Sequence, residues 1–249
     1  MTSLVRLYAE KFRENLSHHP VWEPGARLVP GDVGRMHDGV FVREGHVSQL
    51  QRNVTPEPME QPLKGPMRFS VGVTARSALA AGAQLDPSLK VKGSLKFASE
   101  GGVVFDARDR VQRGFVNLGL VLAALPWATP EYDDVVVVAE VIAARVAGVA
   151  IAEGSEGEVE VSGTVQALKA LDIGDASVSF GATEGAAYAL QLRAGDQPYP
   201  VALRLYASSR GIFRRHATPS LLGVERAPAA PGPADPFFEL SPFAIDDQP

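Results

Sequence analysis

The chain has 249 residues, 45% of them hydrophobic, with 24 lysines and arginines against 29 aspartates and glutamates and no cysteine. The formal net charge of −5 speaks against a general nucleic-acid binder, and the lack of cysteine removes disulfides, thiolate zinc sites and cysteine nucleophiles. No window approaches the roughly 20 apolar residues of a membrane-spanning helix, and residues 1–15 carry Arg6, Glu10, Lys11, Arg13 and Glu14 where a signal peptide would be apolar, so the chain is expected to be soluble and intracellular as made.

Residues 3–16 read as an amphipathic helix, with Val5, Tyr8, Phe12 and Leu16 on one stripe and Arg6, Lys11 and Arg13 off it. Such a helix caps a core or contacts a membrane. Residues 21–50 are punctuated by Pro24-Gly25, Pro30-Gly31, Gly34, Gly39 and Gly45, which predicts short strands joined by tight turns. Residues 52–66 hold Pro56, Pro58, Pro62 and Pro66 and are expected to form a surface loop or linker. Met67, Phe69, Val71, Val73 and Ala75 then alternate with Arg68, Ser70, Gly72 and Thr74, the pattern of a strand with one wet face. Lys90, Lys92, Ser94 and Lys96 oppose Val91, Gly93, Leu95 and Phe97 in the same manner. Residues 110–125 are predicted to be a helix, with Val111, Phe115, Leu118, Leu122 and Leu125 at helical spacing and Pro126 just beyond.

The centre of the chain is more informative. Asp133-Asp134 precede the run Val135 to Val138, Ala139, Glu140, Val141 and Ile142, which reads as a strand buried on both faces. From 158 to 167 the sequence alternates without a break, Glu158, Glu160, Ser162, Thr164 and Gln166 on one face and Val159, Val161, Gly163, Val165 and Ala167 on the other. Asp175, Ser177 and Ser179 against Ala176, Val178 and Phe180 repeat the pattern, and residues 187–192 and 201–206 look like closing strands. The fold class expected is α+β, a twisted, mainly antiparallel sheet with flanking helices and a short C-terminal tail.

Residues 1–217 form the body of this reading and 218–249 the tail. The tail contains seven prolines, five acidic residues and one arginine, which is not the composition of a domain. Yet Phe237, Phe238, Leu240, Phe243 and Ile245 crowd its end. Burying five such side chains contributes at most about 7–15 kcal/mol, and ordering about ten residues costs a similar amount, so docking would have a small net balance.

A search for chemistry finds no site. His18, His19, His37, His46 and His216 have no metal-ligand spacing. There is no GxSxG elbow, Walker loop or GxGxxG turn. No catalytic residue, metal or cofactor is assigned, although a dispersed triad of serine, histidine and aspartate stays compatible with the composition. His18-His19 read as solvated residues at a turn or as a pH switch, and Arg214-Arg215 as a solvated pair, a protease site or a headgroup contact.

Four alternating strands in two pairs have a plain explanation, an antiparallel sheet with one face packed and the other in water. The ten-residue alternation at 158–167 also matches the roughly 9–11 residues of a tilted transmembrane strand, with a small, uncharged apolar face and a polar opposite face, as a strand between lipid and a watery lumen requires.

Taken in order, the helix, the Gly/Pro-punctuated region, the first strand pair, the intervening helix and the stretch Asp133-Asp134-Val135-Val136-Val137-Val138-Ala139-Glu140-Val141 resemble the pore-forming domain of gasdermins, the compact bacterial members above all. The resemblance covers residues 3–210 and implies a mechanism. A docked tail would hold the body inactive in the cytoplasm, and an activating protease would remove it. The freed bodies would bind lipid of the cell's inner or plasma membrane and oligomerise, both hairpins extending into one β-barrel that permeabilises it, in cell death or antiviral defence. The inserting strands would present Phe69, Val71, Val73, Val91, Leu95, Phe97, Val159, Val161, Val165, Val178 and Phe180. Arg6, Lys11 and Arg13 would contact lipid, Phe237, Phe238, Leu240, Phe243 and Ile245 would form the latch, and the cleavage site is not legible. Lys90, Lys92 and Lys96 on one wet face would pair with Glu158, Glu160 and Asp175 on the next. The chain departs from the bacterial members in having no N-terminal cysteine to acylate. The rival readings are a soluble, non-enzymatic binding or scaffold module whose apolar tail docks on a partner, and a hydrolase with a dispersed site.

Overall fold

The valine run at 135–138 leads into a 17-residue strand, Val136–Ala152. The computed structural model describes residues 4–22, 26–50, 54–76, 86–98, 100–126, 134–169, 173–175, 177–195, 197–209, 218–221 and 238–239. In chain order these residues form α1 (Leu4–Leu16), β1 (His19–Pro20), β2 (Asp32–His37), β3 (Val40–His46), a 3-10 turn at Val47–Gln49, β4 (Pro58–Leu63), β5 (Met67–Val71) and β6 (Val73–Arg76). They continue with β7 (Lys90–Phe97), β8 (Gly102–Phe115), α2 (Leu118–Ala123), β9 (Val136–Ala152), β10 (Glu158–Thr164), α3 (Val165–Lys169), β11 (Ser179–Glu184), β12 (Ala187–Arg193), β13 (Tyr199–Ser209), β14 (Thr218–Leu221) and β15 (Phe238–Glu239). The fold is α+β, with mainly antiparallel sheet and short helices.

Two compact units share the chain. One comprises Met1–Lys11, Pro62–Arg110 and Ala144–Tyr199, the other Phe12–Gln61, Val111–Ala143 and Pro200–Pro249.

In the second unit β9 is flanked by β2 and β13, and the strand order is β15-β14-β13-β9-β2-β3. Residues 135–141 feed two cores. Val136, Val138 and Val141 pack with Val21, Leu28, Phe41, Leu203 and Leu205, while Val135 and Val137 pack with Val33, Val47, Val121, Leu122 and Leu125. Burial on both faces is what an unbroken β-branched run predicts. The β2–β3 hairpin closes on Asp38-Gly39, both with positive φ, +50° and +76°, the turn whose twist matches paired strands. Inside it Asp32 is fully buried, accepting from Arg43 Nε at 2.7 Å and the Val29 N–H at 2.9 Å.

In the first unit β6, β7, β10 and β11 form a separate four-stranded antiparallel sheet in the order β11-β10-β7-β6. β5 pairs with β8, Phe69 opposite Phe105, and β12 pairs with β9, Leu190 opposite Val149.

Six expectations are corrected. The proline-rich stretch 52–66 is not all loop, because Pro58–Leu63 is strand β4 beside β8, tied at its side chains by Arg113 to Glu60 at 2.6 Å and Gln61 to Gln112 at 2.8 Å. An edge strand tolerates proline because one row of its amides has no ladder to join. The helix expected at 110–125 is confined to Leu118–Ala123, and residues 110–115 finish β8. The strand expected at 67–75 is two strands, broken at Gly72, whose φ is +70° and whose place allows no Cβ against the Gly101 carbonyl. The alternation at 158–167 ends as a strand at Thr164, and Val165 to Lys169 are helical. The strand expected at 175–180 begins at Ser179 and runs through Gly181 to Glu184. The central strand also continues ten residues past Ile142 to Ala152. Its second half is rich in alanine, which lacks strand propensity and is held there by its neighbours on both sides.

Candidate functional site

The two amphipathic strand pairs identified in the sequence meet in the four-stranded sheet. β7 and β10 are antiparallel neighbours in unbroken register, Lys96 opposite Glu158, Leu95 opposite Val159, Gly93 opposite Val161, Lys92 opposite Ser162 and Lys90 opposite Thr164. Because successive side chains point to opposite faces, this register sorts charge from hydrocarbon. On the outer face Lys96 Nζ lies 3.3 Å from Glu158 Oε2, the cross-strand pairing of opposite charge that the wet faces predict. The Ser94 hydroxyl, then Lys96, hold the Glu158 carboxyl below the usual range. The Ser162 and Ser179 hydroxyls are 2.7 Å apart on the same face.

The inner face is dry. Leu95, Phe97, Val159 and Val161 are buried with Val104, Ala150, Ala152, Ala167, Leu168, Ile173 and Val178, and Val73, Val91 and Phe180 pack around them. Seven of the eleven residues assigned to inserting strands therefore lie on this one sheet. Val178 is fully buried just ahead of β11, and Val165 is buried on α3. Phe69 and Val71 belong to β5 outside the sheet, with the Phe69 ring 5.9 Å from Phe105.

The loop entering β11 is pinned by a group that sequence reasoning missed. Asp106 is fully buried and its Oδ2 accepts from the Gly174 N–H at 3.0 Å, with Arg108 Nε at 3.6 Å. Gly174 packs so closely that a Cβ there would sit 2.9 Å from Asp106 Cγ. Burial pushes the Asp106 carboxyl up, against the opposing pull of the Gly174 amide and of Arg108 and Arg68. Arg108 Nη1 also reaches Asp175 Oδ2 at 3.5 Å. Asp175 is held low chiefly by the Ser177 hydroxyl and N–H, so this carboxylate anchors a turn rather than facing Lys90 or Lys92. The sequence signal was an aspartate inside the apolar run Val103-Val104-Phe105-Asp106-Ala107; its partner lies 68 positions away.

The basic residues of α1 fall in three different settings. Arg6 is exposed and paired with Glu10 at 2.8 Å, Lys11 is half-buried, and Arg13 is buried at 8% exposure. In the tail, β14 pairs antiparallel with β13, Leu221 opposite Tyr206 and Thr218 opposite Ser209, and β15 lies parallel to β14 with Phe238 opposite Ser220. Phe237, Leu240, Phe243 and Ile245 lie outside the described residues, as does Arg214-Arg215. Among the described residues no group of three or more acidic or histidine side chains is placed to hold a metal, and no helix is long and apolar enough to cross a membrane.

No family model and no curated protein matches the chain. Among solved structures, a bacterial gasdermin from Bradyrhizobium tropiciagri is similar over 86% of this chain and 90% of that chain, at 16% sequence identity and a TM-score of 0.38.

Proposed function

We propose that this protein is a non-enzymatic, autoinhibited membrane pore former, held inactive in the cytoplasm by its C-terminal segment and released when a protease removes that segment. The observation that carries the reading is the β7–β10 pairing, which makes the two amphipathic hairpins hydrogen-bonded neighbours with one apolar and one charged face. Such a pair is ready to lengthen as a unit into a barrel wall, lipid on one side and water on the other. In lipid the wall must close through other copies of the chain, because an open edge leaves backbone groups unsatisfied.

Two further features support it. β10 has seven residues, short of the roughly 9–11 that span a bilayer. The alternation continues through Val165 and Ala167, so unwinding the five-residue α3 restores a ten-residue strand without a change of phase. The tail's β14 occupies an edge of β13 through backbone pairing over Thr218 to Leu221. Cleavage ahead of it uncovers that edge. The partners of the active form are then anionic membrane lipid, the activating protease and further copies of the chain, and the biological outcome is permeabilisation of the cell's own membrane.

The test is dye release from anionic liposomes, comparing the full chain with a chain truncated after Ala217. Release by the truncated form alone is the expected result. A truncated protein that keeps its circular dichroism and thermal transition but releases nothing would sink the reading in favour of a soluble binding module.

A further inference from the structure

Each strand of the amphipathic sheet continues, within the first unit, into a strand that pairs outside that sheet. β5 passes into β6 at Gly72, β7 into β8 through 98–101, β9 into β10 through 153–157, and β11 into β12 at Gly185-Ala186. These four junctions lie against one another. The Ala98 N–H donates to the Gly72 carbonyl at 2.7 Å, the Gly101 N–H to Ala98 at 2.9 Å, the Glu153 N–H to Ala186 at 3.1 Å and the Gly157 N–H to Gly154 at 3.1 Å. Three of the junctions turn on a glycine with left-handed φ: Gly72 at +70°, Gly101 at +83° and Gly185 at +66°. Each of the three abuts the next junction's backbone. A Cβ on Gly101 would stand 2.6 Å from the Ala152 carbonyl oxygen, and one on Gly72 or Gly185 would collide with the carbonyl of Gly101 or Glu156. Together the junctions line one groove of about 780 Å³, closed on one side by Leu7, Glu10 and Lys11 of α1.

The sequence pattern was not written for this bend. Met67, Phe69, Val71, Val73 and Ala75 keep a single phase of alternation straight through Gly72, as a continuous strand would. We propose that the four junctions are a hinge line on which the amphipathic sheet swings out, with Gly72, Gly101 and Gly185 holding the closed arrangement. This rests on the pore-forming reading and names where the opening occurs. On opening, β5–β6, β7–β8, β9–β10 and β11–β12 each straighten into one long strand. The glycine dihedrals pass from the left-handed region to the extended region open to every residue, so an L side chain at these positions penalises only the closed form.

The experiment uses the full, uncut chain with Gly185→Ala and, separately, Gly101→Ala. Gly65→Ala is the control, because Gly65 also has left-handed φ, +72°, but nothing within 4 Å of its Cβ position and no sheet junction. Amide hydrogen exchange in solution should run about tenfold faster at Ala98, Gly101, Glu153 and Gly157 and along the β7–β10 ladder than in the control, while the β2–β3 and β13 amides keep their protection. The uncut variants should also release dye from vesicles of phosphatidylglycerol and phosphatidylethanolamine, and Gly65→Ala should not. Exchange that rises equally in β2, β3 and β13, or junction amides as protected as in Gly65→Ala, would overturn the hinge. Gly101→Ala, whose Cβ is less crowded than that at Gly185, decides the matter if Gly185→Ala does not fold. The wild-type chain truncated after Ala217, run alongside, reports on pore formation itself. Its silence overturns that reading, and the exchange pattern still decides where the body opens.

Discussion

Val91→Asp in the chain truncated after Ala217 should lower the initial rate of dye release at least about tenfold, and Lys92→Asp in the same background should leave it within about twofold. The two positions are adjacent on β7, so they differ in face and in little else. Val91 opposes Gly163 and packs at the margin of the dry core, whereas Lys92 opposes Ser162 and is exposed. Neither is deeply buried, and both variants should therefore fold. In a barrel wall the Val91 face meets lipid, where a carboxylate costs roughly 1–2 kcal/mol near the midplane, somewhat less than a lysine. Every copy in the ring carries that cost. On the Lys92 face the same carboxylate meets water. Thermal transitions of both variants establish that the folded body survives. Equal loss of release in both would mean that alternation along β7 does not set which side meets lipid.

The same alternation explains what could be read from the sequence. β7 was legible at both ends, because Lys90, Lys92 and Lys96 against Val91, Leu95 and Phe97 leave no helical reading. Residues 110–115 were not, for a geometric reason. A spacing of four is one turn of a helix and also two repeats of a strand, so Val111 and Phe115 share a face in either state. The choice was made by β4 and β9 alongside β8, and neither can be seen from 110–125. At Thr164 a local signal existed and was outweighed by the pattern. The Thr164 hydroxyl accepts from the Ala167 N–H at 3.3 Å, the arrangement of a helix N-cap, inside a stretch whose polar and apolar residues still alternate. The apolar residues of the candidate sheet were legible because burial and lipid contact demand the same side chains. The junction glycines and Asp106 were not, since their roles depend on carbonyls and amides brought from distant strands.

Asp106→Ala should cost about 1–3 kcal/mol of unfolding free energy, measured as a lowered urea midpoint at neutral pH, and Asp106→Asn clearly less. The alanine removes the acceptor of the buried Gly174 amide, and a buried donor left unsatisfied is penalised by about that much; it also takes the counter-charge from the part-exposed Arg108. Asparagine keeps an oxygen for Gly174. The charge itself has an opposite effect that pH exposes. Burial raises the Asp106 pKa above its unfolded value despite the neighbouring amide, Arg108 and Arg68, so the folded state binds this proton more tightly than the unfolded state does. Its contribution therefore weakens as pH rises from the unfolded value, about 3.9, to the native one, and the penalty is complete above that. Arg68 and Arg108 stay charged throughout, and Asp175 is present in both proteins, so the difference between wild type and Asp106→Asn isolates the one carboxyl. That difference should shift in favour of wild type as the pH falls from 7 to about 4. A shift in favour of asparagine would mean that the two arginines outweigh burial, and that Asp106 clamps the Gly174 loop as an ion with a depressed pKa.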